Sequence, residues 1–256
     1  MPEPNDDTVC IVGLGYVGLP LGLAFDDEGF EVFGYDVDDS KVEQLQSGTD
    51  PTHEVGDDRV ATSDASFTTD PVEIERADYV IITVPTPVDE TQNPNLDFVE
   101  SAGRTVGRNM AEGTTVILES TVYPGLTDKV LVPVLEAESN LTAGEEFNVG
   151  YSPERLSPGD SGRGLREVTK IVSGDTDETL ADVAALYESV VDAGVYRAPT
   201  IESAEAAKVV ENVQRDLNIA LMNELAIICD HLGIDTHEVL DAAGTKWNFH
   251  DYEPGL

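Results

Sequence analysis

Three glycines, Gly13, Gly15 and Gly18, stand at the junction of two unlike segments. Before them runs TVCIVGL (8–14), a short apolar stretch rich in β-branched residues. After them, from Gly15 to about Gly29, come Val17, Leu19, Leu21, Leu23, Ala24 and Phe25, which suit a helix closed by a glycine. The first segment predicts a buried parallel strand. A strand that breaks through G-x-G-x-x-G straight into a helix has few ways to fold. The first glycine permits the tight turn, the second lets a pyrophosphate come up against the backbone, and the third lets helix and strand pack closely. The helix N-terminus then offers unpaired N–H groups to the phosphate. Spacing alone is weak support; context strengthens it. The next strand, EVFGYD (31–36), ends in Asp36, 36 − 15 = 21 residues past Gly15. A carboxylate there accepts hydrogen bonds from a ribose 2′-hydroxyl and repels a 2′-phosphate. The expected cofactor is therefore NAD rather than NADP, in preference to a structural glycine turn beside a surface aspartate.

The rest of the chain continues the alternation. Ser40 to Gly48 reads as a helix with Val42 and Leu45 facing inward, and YVIITVP (79–85) as a buried strand introduced by a helical stretch from Val72 to Ala77. A helix over 97–111, the strand TTVILEST (114–121) and a helix over 125–138 follow. NVGYSPE (148–154), TKIVSG (169–174) and GVYRAPT (194–200) predict further strands, with a helix across 176–192. Strands alternating with helices predict an α/β fold, a Rossmann-type doubly wound parallel sheet. After Pro199 the pattern changes. From about Ile201 to Leu232, Ala206, Val209, Val213, Leu217, Ala220, Leu221, Leu225 and Ile228 recur at three- and four-residue steps. One helix of roughly 45 Å, at ~1.5 Å per residue, is too long for a Rossmann layer. The expected division is a dinucleotide-binding domain over 1–199, then a long connecting helix and the opening of a helical domain over 200–256, with a short helix at 235–243.

GLGYVGLPL, VPTP (84–87), ESTVYPG (119–125), SPERLSPG (152–159) and AEAAKVVEN (204–212) occur in an order that resembles the UDP-glucose/GDP-mannose dehydrogenase family over essentially the whole chain. SPERLSPGD and AGTKWNF (243–249) are most similar to the branch that oxidises UDP-N-acetylhexosamines. The resemblance implies NAD-dependent oxidation of a sugar C6 alcohol, in two steps through an aldehyde and a cysteine thioester, to a uronic acid. It assigns Val17, Asp36, Lys41, Thr86 and Thr121 to the NAD site beside Gly13, Gly15 and Gly18, with Thr121 also at the reacting centre. It makes Glu154 the glutamate that touches cofactor and substrate and activates the hydrolytic water. It makes Lys208 and Asn212 the pair that stabilises the alkoxide at C6. Their i, i+4 spacing puts both on one helix face, where ammonium and amide converge on one oxyanion.

Blander roles exist for each of these residues. Lys208 could pair with Glu205 or Glu211, Thr121 could cap a helix, and Glu154 could pair with Arg155 on the surface. The order of five motifs weighs against all three. The four histidines lack metal-ligand spacing, so no metal is expected. Cys10, inside the first strand, and Cys229, on the long helix, read as small core residues rather than nucleophiles. The family's catalytic cysteine follows a glycine-rich segment just after the Pro-Gly that matches Pro254–Gly255, and this chain ends at Leu256. The expectation is a chain truncated before that cysteine, the rest of the helical domain and the UDP-binding domain, represented by its cofactor-binding half. A non-catalytic NAD-binding module paired with a longer paralogue is the alternative, and UDP-glucose is the alternative substrate. A hydroxyacid-type dehydrogenase would share the glycine motif and the long helix but leaves ESTVYPG and SPERLSPG unexplained. A homodimer through 201–232 is the expected assembly.

Composition narrows the setting. No run of about 18 apolar residues exists, the N-terminus MPEPNDD lacks a signal peptide's basic and apolar regions, and two distant cysteines make no disulfide framework. A cytoplasmic protein without a membrane partner is expected. Fifty-one acids face fourteen bases, for a formal charge of −37, and no basic cluster exists to meet nucleic acid. Acids spread along the whole chain read as a solvated shell suited to a salt-saturated cytoplasm, where screening removes self-repulsion. Lowering salt from molar to tenth-molar lengthens the screening distance from ~3 Å to ~10 Å. The circular dichroism signal is expected to collapse on such dilution, and a melting temperature indifferent to salt would refute the acidic-shell reading.

Overall fold

The computed structural model describes residues 7–88, 93–155 and 164–249. The chain divides into two compact units, one running through Ala206 and the other starting at Ala207. In order, the first unit carries β1 (Thr8–Val12), α1 (Gly18–Asp27), β2 (Glu31–Tyr35), α2 (Asp39–Gln46), α3 (Asp57–Thr62), β3 (Ser66–Thr68) and β4 (Tyr79–Ile82). It continues with α4 (Asp97–Asn109), β5 (Thr115–Leu118), α5 (Val132–Ser139), β6 (Asn148–Tyr151), β7 (Lys170–Gly174), α6 (Asp177–Glu188) and β8 (Val195–Arg197). The long helix α7 (Ile201–Leu232) begins in this unit, and the second unit holds its remainder and α8 (Thr236–Gly244).

One sheet of order β3-β2-β1-β4-β5-β6-β7-β8 organises the first unit. From β3 to β6 every pairing is parallel, with Cys10 opposite both Phe33 and Val80. The chain winds outward from β1 in both directions, so a topological switch point falls between β1 and β4. The central strands are buried along their length, as Val/Ile-rich runs covered on both faces must be. Ile11, Ile81 and Ile117 from these strands share a core with Phe25 of α1 and Val183 and Tyr187 of α6. Phe25 and Tyr187 meet edge to face at 6.0 Å between centroids.

The structure corrects the wholly parallel sheet. β7 pairs with β6 antiparallel, Tyr151 opposite Ser173, and β8 follows β7 in parallel. A parallel return would need a crossover element, and among the described residues between β6 and β7 only a 3₁₀ turn, Leu165–Glu167, occurs. Two short elements that apolar periodicity did not signal, α3 and β3, fill the edge beside β2. The stretch before β4 is a 3₁₀ turn, Pro71–Arg76, rather than an α-helix. The predicted strands 79–85 and 114–121 stop early, at Ile82 and Leu118. Pro85 and Pro87 have no N–H for a ladder, so the chain leaves the sheet there.

The predicted helix 125–138 opens as a π-turn, Thr127–Leu131, before α5. Pro133 at the head of α5 cannot donate the bond that a regular turn would require. The buried Glu205 of α7 holds this turn. Its carboxylate accepts from the Gly125 N–H, from the Thr127 N–H at 2.9 Å and from the Thr127 hydroxyl at 2.7 Å. Glu205→Ala strands three buried donors and is expected to lower stability by about 2–4 kcal/mol in urea titration. Glu205→Gln, which keeps an acceptor of the same shape, is expected to lose less. An unchanged midpoint for the alanine variant would show that Glu205 is not what fixes the turn.

Candidate functional site

The segments that follow β1, β2, β4, β5 and β6 line two clefts beside the switch point. The glycine turn opens there. Gly13 has φ +101°, a left-handed backbone that favours glycine, and its N–H donates to the Tyr35 carbonyl at 2.8 Å. A Cβ on Gly18 would run into the Gly13 carbonyl oxygen and the Thr83 hydroxyl, so this glycine is required by packing. A Cβ on Gly15 would meet no protein atom within 4 Å, and Gly15 lines the cleft. At Gly15 the open side is therefore the ligand's side. The three glycines thus differ: Gly13 takes a left-handed backbone, Gly15 faces open space and Gly18 is required by packing.

Asp36 is only 6% exposed and acts as a latch. Its Oδ2 accepts from the Leu14 N–H at 2.8 Å and from Lys41 Nζ at 2.6 Å, while Oδ1 accepts from the Asp38 N–H at 3.0 Å. The carboxylate thus ties the glycine turn to the start of α2. Of the four lone-pair directions of a carboxylate these contacts use three, leaving one on Oδ1.

Two clefts adjoin along this latch. One, of about 480 Å³, is lined by Gly13, Gly15, Val17, Asp36, Lys41, Thr86, Thr121 and Glu154, all residues expected from the sequence, and by Glu119. The other, of about 310 Å³, shares Gly13, Asp36, Lys41, Val84 and Pro85 and adds Tyr35, Val37, Phe98, Ala102 and Thr105. Its aromatic and aliphatic walls suit a planar base. The residues of α4 in it escaped sequence reading because the helix pattern does not separate its cleft face from its core face. Hydroxyls lace the loops together: Thr83 Oγ1 donates to the Gly13 carbonyl at 2.6 Å, Ser120 Oγ to Val84 at 2.6 Å and Thr86 Oγ1 to Thr121 at 2.7 Å.

Glu119 and Glu154, which line the larger cleft, belong to a buried charge cluster whose lysine no motif announced. Lys170, 2% exposed, sets its ammonium 2.9 Å from Glu119 Oε2 and 3.5 Å from Glu154 Oε2. The Tyr187 hydroxyl donates to Glu119 Oε1, and the ammonium also stands 5.4 Å from the Tyr187 ring centre. Burial pushes the Glu119 carboxyl up, with Lys170 pulling the other way. Burial alone would push the Lys170 ammonium down, but the two facing carboxylates outweigh it and hold it protonated. The only sequence signal was a lysine heading an apolar strand, KIVSG.

Arg155 donates to the Thr169 carbonyl at 2.6 Å. SPERLSPG beyond Arg155, Pro254–Gly255 and His250 lie outside the described residues. Lys208 and Asn212 belong to the second unit, one turn apart on α7, where the Asn212 side-chain oxygen accepts from Arg215 at 2.7 Å. Both cysteines are buried, and burial pushes the Cys10 thiol up. No group of three His, Cys, Asp or Glu among the described residues is arranged to hold a metal ion, and no helix among them is long and apolar enough to cross a membrane.

The latch yields a direct test. NADH is expected to bind more tightly than NADPH, and Asp36→Ala to narrow the difference by about tenfold, the equivalent of ~1.4 kcal/mol of removed repulsion. Fluorescence titration in molar salt measures both affinities. Equal affinities in the unsubstituted chain would refute the role given to Asp36.

The NAD-binding-domain profile of the UDP-glucose/GDP-mannose dehydrogenase family matches residues 7–191, and the profile of that family's central domain matches residues 202–256. The chain is 50% identical to Protein CapL of Staphylococcus aureus, over 97% of this chain and 58% of that protein. It is 47% identical to a UDP-N-acetyl-D-glucosamine 6-dehydrogenase of Pseudomonas aeruginosa, over 98% of this chain and 60% of the relative. Among solved structures, a UDP-D-ManNAc dehydrogenase from Pyrococcus horikoshii superimposes with a TM-score of 0.90 at 32% identity, covering 97% of this chain and 60% of that one. The chain therefore spans about 60% of the length of the relatives it matches. With a turn, a latch and a cleft built for a dinucleotide, and both halves matched by profiles of one family, the chain belongs to the UDP-glucose/GDP-mannose dehydrogenase family.

Proposed function

We propose that this chain is the cofactor-binding half of an NAD-dependent dehydrogenase that oxidises the C6 alcohol of a UDP-N-acetylhexosamine to the uronic acid. The observation that carries this reading is a single cleft lined by the glycine turn and Asp36 at one end and by Thr121 and Glu154 at the other. The named activities of relatives, on UDP-N-acetyl-D-glucosamine and UDP-N-acetyl-D-mannosamine, support the N-acetylhexosamine over UDP-glucose. In this reading residues 1–199 form the NAD-binding domain and 200–256 open the central domain.

Bound NAD supplies the hydride acceptor. The glycine turn and the α1 N-terminus would hold the pyrophosphate, Asp36 the adenosine ribose, and the cleft wall with Val37, Phe98 and Ala102 the base. Thr86 and Thr121, already joined by a hydrogen bond, close the nicotinamide side. Lys208 and Asn212 share one helix face and stabilise the oxyanion that develops at C6. Glu154 activates the water that hydrolyses the thioester, releasing the carboxylate and the thiol. The aldehyde stage calls for a thiolate, and with Cys10 and Cys229 both buried that thiol comes from outside this chain. On α7 the exposed Val210, Val213, Leu217, Leu221 and Ile228 repeat along one stripe, which we assign to a second copy in a homodimer.

The 256-residue chain is expected to bind NADH but to show no sustained NADH production with UDP-GlcNAc, UDP-GalNAc, UDP-ManNAc or UDP-glucose. The protein extended to the length of its relatives is expected to turn over the acetylated sugars. In it, Lys208→Ala should cost roughly 10²–10³ in kcat, the usual loss for one oxyanion donor. Robust uronate formation by residues 1–256 alone would overturn the assignment of the nucleophile. Cofactor binding without turnover in the extended protein would favour a non-catalytic NAD-binding module.

A further inference from the structure

Lys170 is out of place by every ordinary measure. It heads β7, one strand in from the edge of an eight-stranded sheet, is 2% exposed, and faces two carboxylates with one positive charge. Stability does not account for it, because a buried ion pair contributes no more than well-packed apolar residues of similar volume. The reversal of β7 does account for where it sits. With Tyr151 opposite Ser173, paired residue numbers sum to 324, and the same register continued beyond β6 brings 154 opposite 170. A parallel β7 would carry its first residue to the opposite edge of the sheet, away from the cleft. The antiparallel strand instead delivers its first side chain to the edge where Glu119 leaves β5 and Glu154 follows β6, on the half of the sheet that takes the nicotinamide mononucleotide.

Glu119 is fully buried and held twice, by the Tyr187 hydroxyl and by Lys170 at 2.9 Å. That fixes the ammonium. Glu154, 13% exposed through its side chain, lines the cleft with the same ammonium 3.5 Å behind it. We propose that Lys170 is a positioning residue, anchored on Glu119, that holds the Glu154 carboxylate at the nicotinamide end of the cleft in its anionic form. The groups that act on Glu154 include Lys170 of β7, which favours its charge, and Glu119 at the end of β5, which opposes it. Tyr187 of α6 engages Glu119, and the neighbouring Arg155 turns to the Thr169 carbonyl. A carboxylate kept charged and aimed in this way is ready to accept a proton from water without first losing its own. The inference rests on the role given to Glu154 above, but its test does not.

The test is a ¹³C NMR pH titration of the glutamate carboxyls in the 256-residue chain, with Glu154→Gln identifying the Glu154 signal. Lys170→Gln is expected to raise the Glu154 midpoint by about one pH unit or more, tenfold in its protonation constant. Lys170→Arg, which keeps the charge, should leave the midpoint within a few tenths of a unit. If Lys170→Gln does not fold, the double variant Glu119→Gln/Lys170→Gln leaves no unpaired buried charge and is expected to show a smaller upward shift. An unchanged midpoint in a folded neutral variant overturns the proposal. So does failure of both neutral variants to fold while Lys170→Arg folds, since Lys170 would then be a requirement of the fold and not a positioning group. Should Glu154→Gln leave turnover of the extended protein intact while the midpoint shifts as expected, the role of Glu154 fails and the positioning by Lys170 stands.

Discussion

The contact on which the rest depends is the one between Gly18 and the turn beneath it. With no side chain at Gly18, the start of α1 lies against the Gly13 carbonyl and the Thr83 hydroxyl, closer than any Cβ permits. That approach sets where the helix begins and aims its unpaired N–H groups into the switch point. It also presents the Leu14 N–H to Asp36, and the same carboxylate then gathers Asp38 and Lys41. One missing methyl group thus positions the glycine turn and the Asp36 latch together.

Electrostatics divides the cleft into two regimes. At Asp36 a buried carboxylate is satisfied by backbone donors and one partly buried lysine, and one acceptor direction stays open. In the other regime two carboxylates share one buried ammonium, and burial together with the facing Glu154 pushes the Glu119 carboxyl up. Carboxylates stand at both places, and their partners separate them: backbone N–H groups and one lysine for Asp36, a buried ammonium shared between two acids for Glu119 and Glu154. The reversed strand β7 makes the second regime possible, because only an antiparallel neighbour of β6 begins at the cleft edge.

The glycine turn, Asp36, the alternation of strands with helices and the extent of α7 from Ile201 to Leu232 were all readable from local pattern, and α7 agrees with its predicted limits residue for residue. Each rests on physics acting within a few residues: backbone freedom at glycine, periodic burial and the absence of helix breakers. Order along the chain also carried Thr86, Thr121 and Glu154, which the fold gathers on one cleft. What pattern could not supply was pairing. Direction of pairing between β6 and β7, the lodging of β3 beside β2, and the choice of Lys170 as partner to Glu119, 51 residues earlier, depend on which segments meet in space. A lysine at the head of an apolar strand reads locally as an edge. Only the sheet around it, which buries its head between two acids, decides that its charge is kept and where it points.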